Sequence, residues 1–247
     1  MNDKKTEAEN KVFKPNPGKN LEISVGNDTY LRLPVKTGII SEKEDLMQLL
    51  EKHIKPFLLK NDLIFVSEKV VALMQGRIIP IVDIKPSWLA RLLARKVKNN
   101  YGTPQFRGFG HGTPMAMQLL IEQAGYPRAI LAAAAAAVTR PLGIKGVFYM
   151  IVGKLAKSVD CPMSFTVQPY NRYAKLAPLD PDGVAKKIKE KFGNEAAIVD
   201  ANYRGVFSLG KSDRKISEKF IYDVLRDNPL GQSDEFTPFC IIRKKNS

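Results

Sequence analysis

Apolar positions along the chain fall into short blocks whose period switches between helix-like and strand-like, with no regular alternation of the two. Residues 1–20 have no period: Lys, Asn, Glu and Pro are mixed, and the segment reads as a loose leader ahead of one domain over residues 21–247. Ser41 stands three residues before Glu44, and Leu46, Leu49, Leu50 and Ile54 follow at helical spacing. This predicts a capping box at Ser41 and a helix from Glu42 to His53. Leu63 to Val66 is a short apolar run of strand type, Ser67 to Gln75 a short helix, and Gly76 to Val82 a second extended run. Trp88, Leu89, Leu92, Leu93 and Val97 repeat at helical spacing behind Ser87, an N-cap candidate.

Glycines and prolines interrupt the pattern from Asn99 to Gly112. Thr113-Pro114 then opens a helix that Gly125 stops, in keeping with Thr at N-cap, Pro at N1 and Gly past the end. A second helix rich in alanine, Ala132 to Ala137, ends at Arg140-Pro141-Leu142-Gly143. Val147 to Val152 reads as a buried strand. Asp182 to Gly193 reads as a helix with Asp182 as its cap, and Ala196 to Val199 as a strand that delivers Asp200. A capped helix from Ser217 to Arg226 and a strand from Phe236 to Arg243 close the chain. No internal repeat is present, and the irregular mixture predicts an α+β fold with mixed sheets and packed helices in two intertwined lobes.

Composition narrows the class. With 247 residues, 44% hydrophobic and 26% charged, the chain can bury a core without staples. Cys161 and Cys240 make neither a disulfide framework nor a zinc spacing, so a reducing compartment is expected. MNDKKTEAEN is charged where a signal peptide is apolar. The longest apolar run, Ala129 to Val138, is too short to cross a bilayer, so a soluble cytoplasmic protein with no membrane partner is expected. The excess of 39 Lys+Arg over 25 Asp+Glu gives +14, a field that attracts anions of any kind, nucleic acid and nucleotide phosphates alike.

Three places carry candidate chemistry. Arg107-Gly108-Phe109-Gly110-His111-Gly112-Thr113 runs into a helix start, where free backbone N–H groups, a positive dipole end and Arg107 suit an oxyanion. It matches neither phosphate-loop fingerprint, and a plain surface connection reads the same residues as well. Asp200 with Asn202, and Asp160, sit at strand exits, where carboxylate and amide oxygens suit a hard cation; each Asp also suits a turn or cap. Ser67 and Lys69 stand at a strand-to-helix junction and Arg77 at a short return, a set able to grip a polyanion or to make ordinary surface ion pairs. No Ser/His/Asp or Cys/His arrangement for nucleophilic catalysis is visible.

In order and spacing, Leu33-Pro34-Val35-Lys36-Thr37, the run Asn61 to Val71 with Gln75-Gly76-Arg77, the Pro86-Ser87 helix, Leu179-Asp180-Pro181-Asp182 and Ala197-Ile198-Val199-Asp200 resemble the coenzyme F-420-0:γ-glutamyl ligase family. The resemblance covers about Leu33 to Lys211. It implies an α+β enzyme, dimeric, that joins glutamate through its amine to an acceptor carboxylate, using GTP or ATP and Mg²⁺ or Mn²⁺. It further implies Asp160, Asp200, Asn171 and Asn202 as metal ligands. By their own chemistry Ser67, Lys69, Arg77, Arg107, Gly108, Gly110, His111, Gly112 and Thr113 would hold the nucleotide or phosphate of such a reaction, and Lys36 and Thr37, within the first matching motif, the substrate. This chain departs from the family where Gln75 replaces an acidic residue before Gly-Arg, and where Ser158-Val159-Asp160 stands for a Gly-Ile-Asp segment. The stretch Tyr101 to Tyr149 marks a divergent branch, whose acceptor is a deazaflavin, a folate or another carboxylate. The rival readings are a basic nucleic-acid-binding protein and a ligase-like domain that only binds.

Overall fold

The computed structural model describes residues 13–97, 110–161, 168–202, 205–231 and 234–245. Two compact units emerge: Met1–Gln75 together with Leu179–Ser247, and Gly76–Pro178. The first unit opens with a hairpin, β1 (Glu22–Val25) and β2 (Asp28–Val35), whose two-residue turn places Gly26 at φ +61°. Within the leader, Phe13 is buried and meets the Phe57 ring edge-on at 4.9 Å, and Asn16 donates to the Pro229 carbonyl at 2.8 Å.

Helix α1 (Leu46–His53) starts later than Ser41 predicts, because Asp45 is the cap and accepts from the Gln48 N–H at 2.9 Å. Glu44 does reach back to the Ser41 N–H at 2.6 Å, but that contact closes only a turn. Strand β3 (Leu63–Ser67) and helix α2 (Glu68–Met74) follow as predicted, and the chain then leaves for the second unit.

The second unit contains β4 (Ile78–Pro80), α3 (Trp88–Ala94), α4 (Pro114–Ala124), α5 (Tyr126–Thr139), α6 (Val147–Lys157) and β5 (Tyr173–Lys175). Ser87 and Thr113 cap α3 and α4 by accepting from Ala90 and Ala116. The strand predicted for Val147 to Val152 is instead the first part of α6. An unbroken apolar run carries no period of its own, and packing decides: Val152 and Ala156 join Met117, Leu120, Ala129 and Ala132 in one core. A second core gathers Ala116, Leu119, Val159, Cys161 and Ala174 beneath the antiparallel pair β4 and β5.

Back in the first unit come α7 (Pro181–Phe192), β6 (Ala196–Asn202), β7 (Gly205–Lys211), α8 (Glu218–Leu225) and β8 (Phe239–Lys244). The cap of α7 is Asp180, which accepts from Gly183 N–H at 3.0 Å; Asp182 instead accepts from the Lys211 N–H of β7 at 2.8 Å. The sheet order is β1-β2-β8-β3-β6-β7, and β3 and β6 are its parallel pair. Phe65, Ala197, Val199, Ile221, Val224, Leu225 and Ile242 form the core between the sheet and α8.

Among the described residues of this unit, two arginines are buried with carboxylate partners. Arg32 on β2 pairs with Asp227 through both terminal nitrogens and also donates to the Val224 and Asn20 carbonyls. Burial would raise the Asp227 pKa, but the hydrogen bonds and charge of Arg32 outweigh it and hold the carboxyl below its ordinary 3.8. A depressed carboxylate pKa contributes stability that is present above the ordinary value and lost as pH falls below it. Urea unfolding of Asp227→Asn is therefore expected to show a lower midpoint at pH 7 and a shallower loss between pH 4 and pH 3 than the parent. Equal acid slopes would discount the pair.

Candidate functional site

In the first unit the strand register brings several candidate groups to one end of the sheet. Ser67, the last residue of β3, is in register with Val199, so Asp200 lies one residue beyond the end of β3, still within β6 and paired with Phe207 of β7. Val35 of β2 pairs with Phe239 of β8, which in turn pairs with Val66 of β3, so Lys36 and Thr37 leave the sheet at the same end. The Thr37 N–H donates to the Phe236 carbonyl at 2.8 Å, and the Ser67 N–H to the Pro238 carbonyl at 2.8 Å. Lys36 is exposed, Thr37 half-buried. Asn202 donates its amide to Asp200 at 3.0 Å, which holds the carboxylate and the amide side by side.

Glu68 belongs to this end and was not singled out by the sequence. It is the first residue of α2, buried, and accepts from the Ser67 hydroxyl at 3.3 Å. An acidic residue in the first turn of a helix is so common that its identity carries no site signal; only its burial beside Ser67 does. Lys69 follows it on the same helix turn. Gln75, the last residue before the second unit, makes two bonds with Leu179, the first after it: Nε2 donates to the carbonyl at 3.0 Å and Oε1 accepts from the N–H at 2.6 Å. Its amide thus serves the backbone, a task an acidic residue at this place could not share, because a carboxylate has no donor.

The second unit gathers a different subset. Asp160 and Lys175 exchange backbone hydrogen bonds at 3.0 and 2.9 Å, and the fully buried Lys175 ammonium lies 3.9 Å from the Asp160 carboxylate while donating to the Ser158 carbonyl. The His111 ring approaches the Val159 carbonyl at 3.2 Å and stacks on Tyr149, so the one-turn segment Gly110–Gly112 is anchored next to Asp160. Thr113 spends its hydroxyl on the α4 cap. Arg77 donates to the Ala177 carbonyl at 3.1 Å and to Gln123 at 2.8 Å, which holds its guanidinium within the unit. Arg107 and Gly108 lie outside the described residues. Burial, with the neighbouring Asp160 charge, pushes the Cys161 thiol up to about 12 and keeps it a neutral packing group.

The donor chemistry fits a hard divalent cation in its ligand type. Asp200 and Asn202 hold a carboxylate and an amide side by side, Asp160 carries a further carboxylate, and the Asn171 Oδ1 atom is buried without a hydrogen-bond partner among the described residues. Asp160 belongs to the second unit and Asp200 to the first. Among the described residues, no group of three or more His, Cys, Asp or Glu is arranged to hold a metal. No helix among the described residues is long and apolar enough to cross a membrane.

No curated protein matches the chain. A family profile does: the one described as F420-0:Gamma-glutamyl ligase matches residues 34–213, which takes in the sheet end at Thr37, Ser67 and Asp200 and the whole of the second unit. The α+β architecture and the ordered motifs agree with it, and the chain belongs to the F420-0:gamma-glutamyl ligase family, a family of ligases.

Proposed function

We propose that the protein joins the amine of glutamate to the carboxylate of a cofactor-like acceptor, with GTP or ATP as phosphoryl donor and Mg²⁺ or Mn²⁺ as the cation. The observation that carries this reading is the extent of the family match, which leaves out none of Lys36, Thr37, Ser67, Lys69, Arg77, Asp160 and Asp200. The acceptor carboxylate attacks the terminal phosphorus and the nucleoside diphosphate leaves. The glutamate nitrogen then attacks the carbon of the acyl phosphate, gives up a proton and expels phosphate. When bound, a divalent cation supplies charge neutralisation at phosphate oxygens, and Asp160, Asn171, Asp200 and Asn202 are the donors assigned to such ions.

The remaining work falls to groups that bind and orient. The Ser67 hydroxyl and Lys69 ammonium stand where a strand passes into a helix, a position that suits phosphate oxygens. Lys36 and Thr37, at the same sheet end, orient a carboxylate-bearing acceptor. In the second unit the Gly110–Gly112 turn, fixed by His111, offers backbone N–H groups to an anion. Catalysis then comes from positioning and charge, and needs no nucleophilic side chain.

The test is incubation with glutamate, each nucleotide, Mn²⁺ or Mg²⁺ and a panel of acceptors that includes folates and the deazaflavin, read by mass for a glutamyl increment. An increment that needs both nucleotide and metal is expected; none with any acceptor would sink the reading. Asp200→Asn, which keeps the side-chain volume, is expected to weaken Mn²⁺-dependent nucleotide binding at least about tenfold with the melting temperature unchanged. Calorimetric titration checks this, and unaltered binding would remove Asp200 from the site.

A further inference from the structure

The charge of the chain is concentrated in one unit. Residues 76–178 hold 14 Lys and Arg against three Asp and Glu, so +11 of the total +14 belongs to the second unit. From residue 123 to residue 159 the sequence has no acidic residue. Helix α5 lies inside that stretch and is apolar on both sides. Ala129 and Ala132 point into the core, while Tyr126, Ile130, Leu131, Ala134, Ala137 and Val138 fall on one opposite arc of about 140° at 100° per residue.

That arc faces solvent. Ile130, Leu131 and Val138 are 53%, 62% and 68% exposed, and in the turn that follows Leu142 and Ile144 are 72% and 53% exposed. The turn is closed by Gly143 N–H to the Arg140 carbonyl and Ile144 N–H to the Thr139 carbonyl, so both apolar side chains stay at the helix end. The Tyr126 hydroxyl, the one polar group of the arc, already accepts from Gln118 at 3.0 Å. Arg128, Arg140 and Lys145 are exposed along the same segment.

A helix with one apolar side in the core ordinarily turns polar residues to solvent on the other, and a contiguous exposed apolar patch of this kind marks an interaction surface. Charge selects the partner. Pairing two copies through this face would bring two units of +11 together. A nucleic acid would neutralise the cations but set Ile130, Leu131 and Val138 against phosphates and sugars, which offer aliphatic side chains nothing. A bilayer with anionic headgroups satisfies both components, since acyl chains take the aliphatic arc and headgroup phosphates take Arg128, Arg140 and Lys145. We propose that the α5 face of the second unit docks on an anionic bilayer surface, with the helix lying in the interfacial plane. The expectation of no membrane partner came from the lack of a spanning segment, and an in-plane helix does not need one.

The test is co-sedimentation of the full chain with vesicles of phosphatidylcholine alone or mixed with phosphatidylglycerol. Binding to the mixed vesicles, weaker to the neutral ones and reduced by salt, is expected. Leu131→Glu with Val138→Glu, both at exposed positions, should lower it at least about tenfold without moving the melting temperature. No binding to either vesicle, or equal binding by the double variant, overturns the proposal. So does a dimer in light scattering that the double variant turns into a monomer, which gives the face to a second copy. An RNA or DNA duplex bound equally by parent and double variant, and displacing the vesicles, gives the charge to nucleic acid and overturns it too.

Discussion

Asp62→Ala is expected to cost about 3–5 kcal/mol of folding stability, which is much of what a domain has. Asp62 is buried and accepts from Arg243 Nε at 2.9 Å, from Arg243 Nη2 at 2.7 Å and from the Leu59 N–H at 2.8 Å. The guanidinium also donates to the Phe57 carbonyl at 2.7 Å, so one fork ties β8 to the turn that feeds β3. Truncation of the aspartate takes away the buried carboxylate to which the guanidinium donates twice, and the cost is that of disturbing a buried charge rather than the worth of the pair. The double variant Asp62→Leu with Arg243→Met should therefore be more stable than either single change. Urea unfolding of the three variants decides it: a double variant no better than Asp62→Ala would mean that the fork contributes packing and not charge balance.

The parts of this fold that could be read from the sequence are those fixed within a few residues. Ser87, Thr113-Pro114, Gly125, Gly193 and Ser217 mark helix ends through bonds or backbone angles that involve only neighbours, and each stands where local chemistry puts it. Two caps shifted because a rival was close: Asp45 displaced Ser41, and Asp180 displaced Asp182. Ranking among Ser and Asp at N-cap is too flat to choose between them. Val147 to Val152 failed for a different reason, since six apolar residues in a row fit a buried strand and a buried helix alike. The β1–β2 hairpin went unread because its first strand, Glu22–Val25, is only four residues long, too short for its alternation of exposed Glu22 and Ser24 with Ile23 and Val25 to stand out.

The candidate site divides in the same way. Ser67 is legible as a strand end, which is a local property, whereas Asp200, read as following a strand that stops at Val199, lies inside β6, because pairing with β7 carries that strand on to Asn202. Their meeting with Lys36 and Thr37 is not legible, because it depends on β8 entering between β2 and β3 from the far end of the chain. His111 beside Val159 likewise depends on α4 packing under the β5 strand. Charge distribution is the converse case: the concentration of +11 in the second unit is written in the sequence, yet it becomes visible only once the unit boundaries at Gln75 and Leu179 are known.

Gly210→Ala, the addition of one methyl group, is expected to destabilise the first unit by about 3 kcal/mol or more, at or above the upper end of ordinary overpacking. A Cβ at Gly210 would fall closer than 3.0 Å to the Pro181 carbonyl carbon and oxygen and to the Asp182 nitrogen. These are backbone atoms of the first turn of α7, so no rotamer change relieves the clash. The helix cannot slide away cheaply either. Asp182 is bonded to the Lys211 N–H, the next residue along β7, and Ala185 and Ile188 of α7 are fully buried. The displaced element adjoins the strand that carries Asp200, because β6 and β7 are paired from Ala197 to Asn202. A shift of about 1 Å at such a group can cost about 100-fold in rate. Gly38→Ala supplies the control, since a Cβ there meets nothing within 4 Å and the backbone has no positive φ. Thermal unfolding should show a fall of several degrees for Gly210→Ala and none for Gly38→Ala. Equal melting temperatures for the two would mean that α7 rests on β7 more loosely than the close approach of their backbones requires.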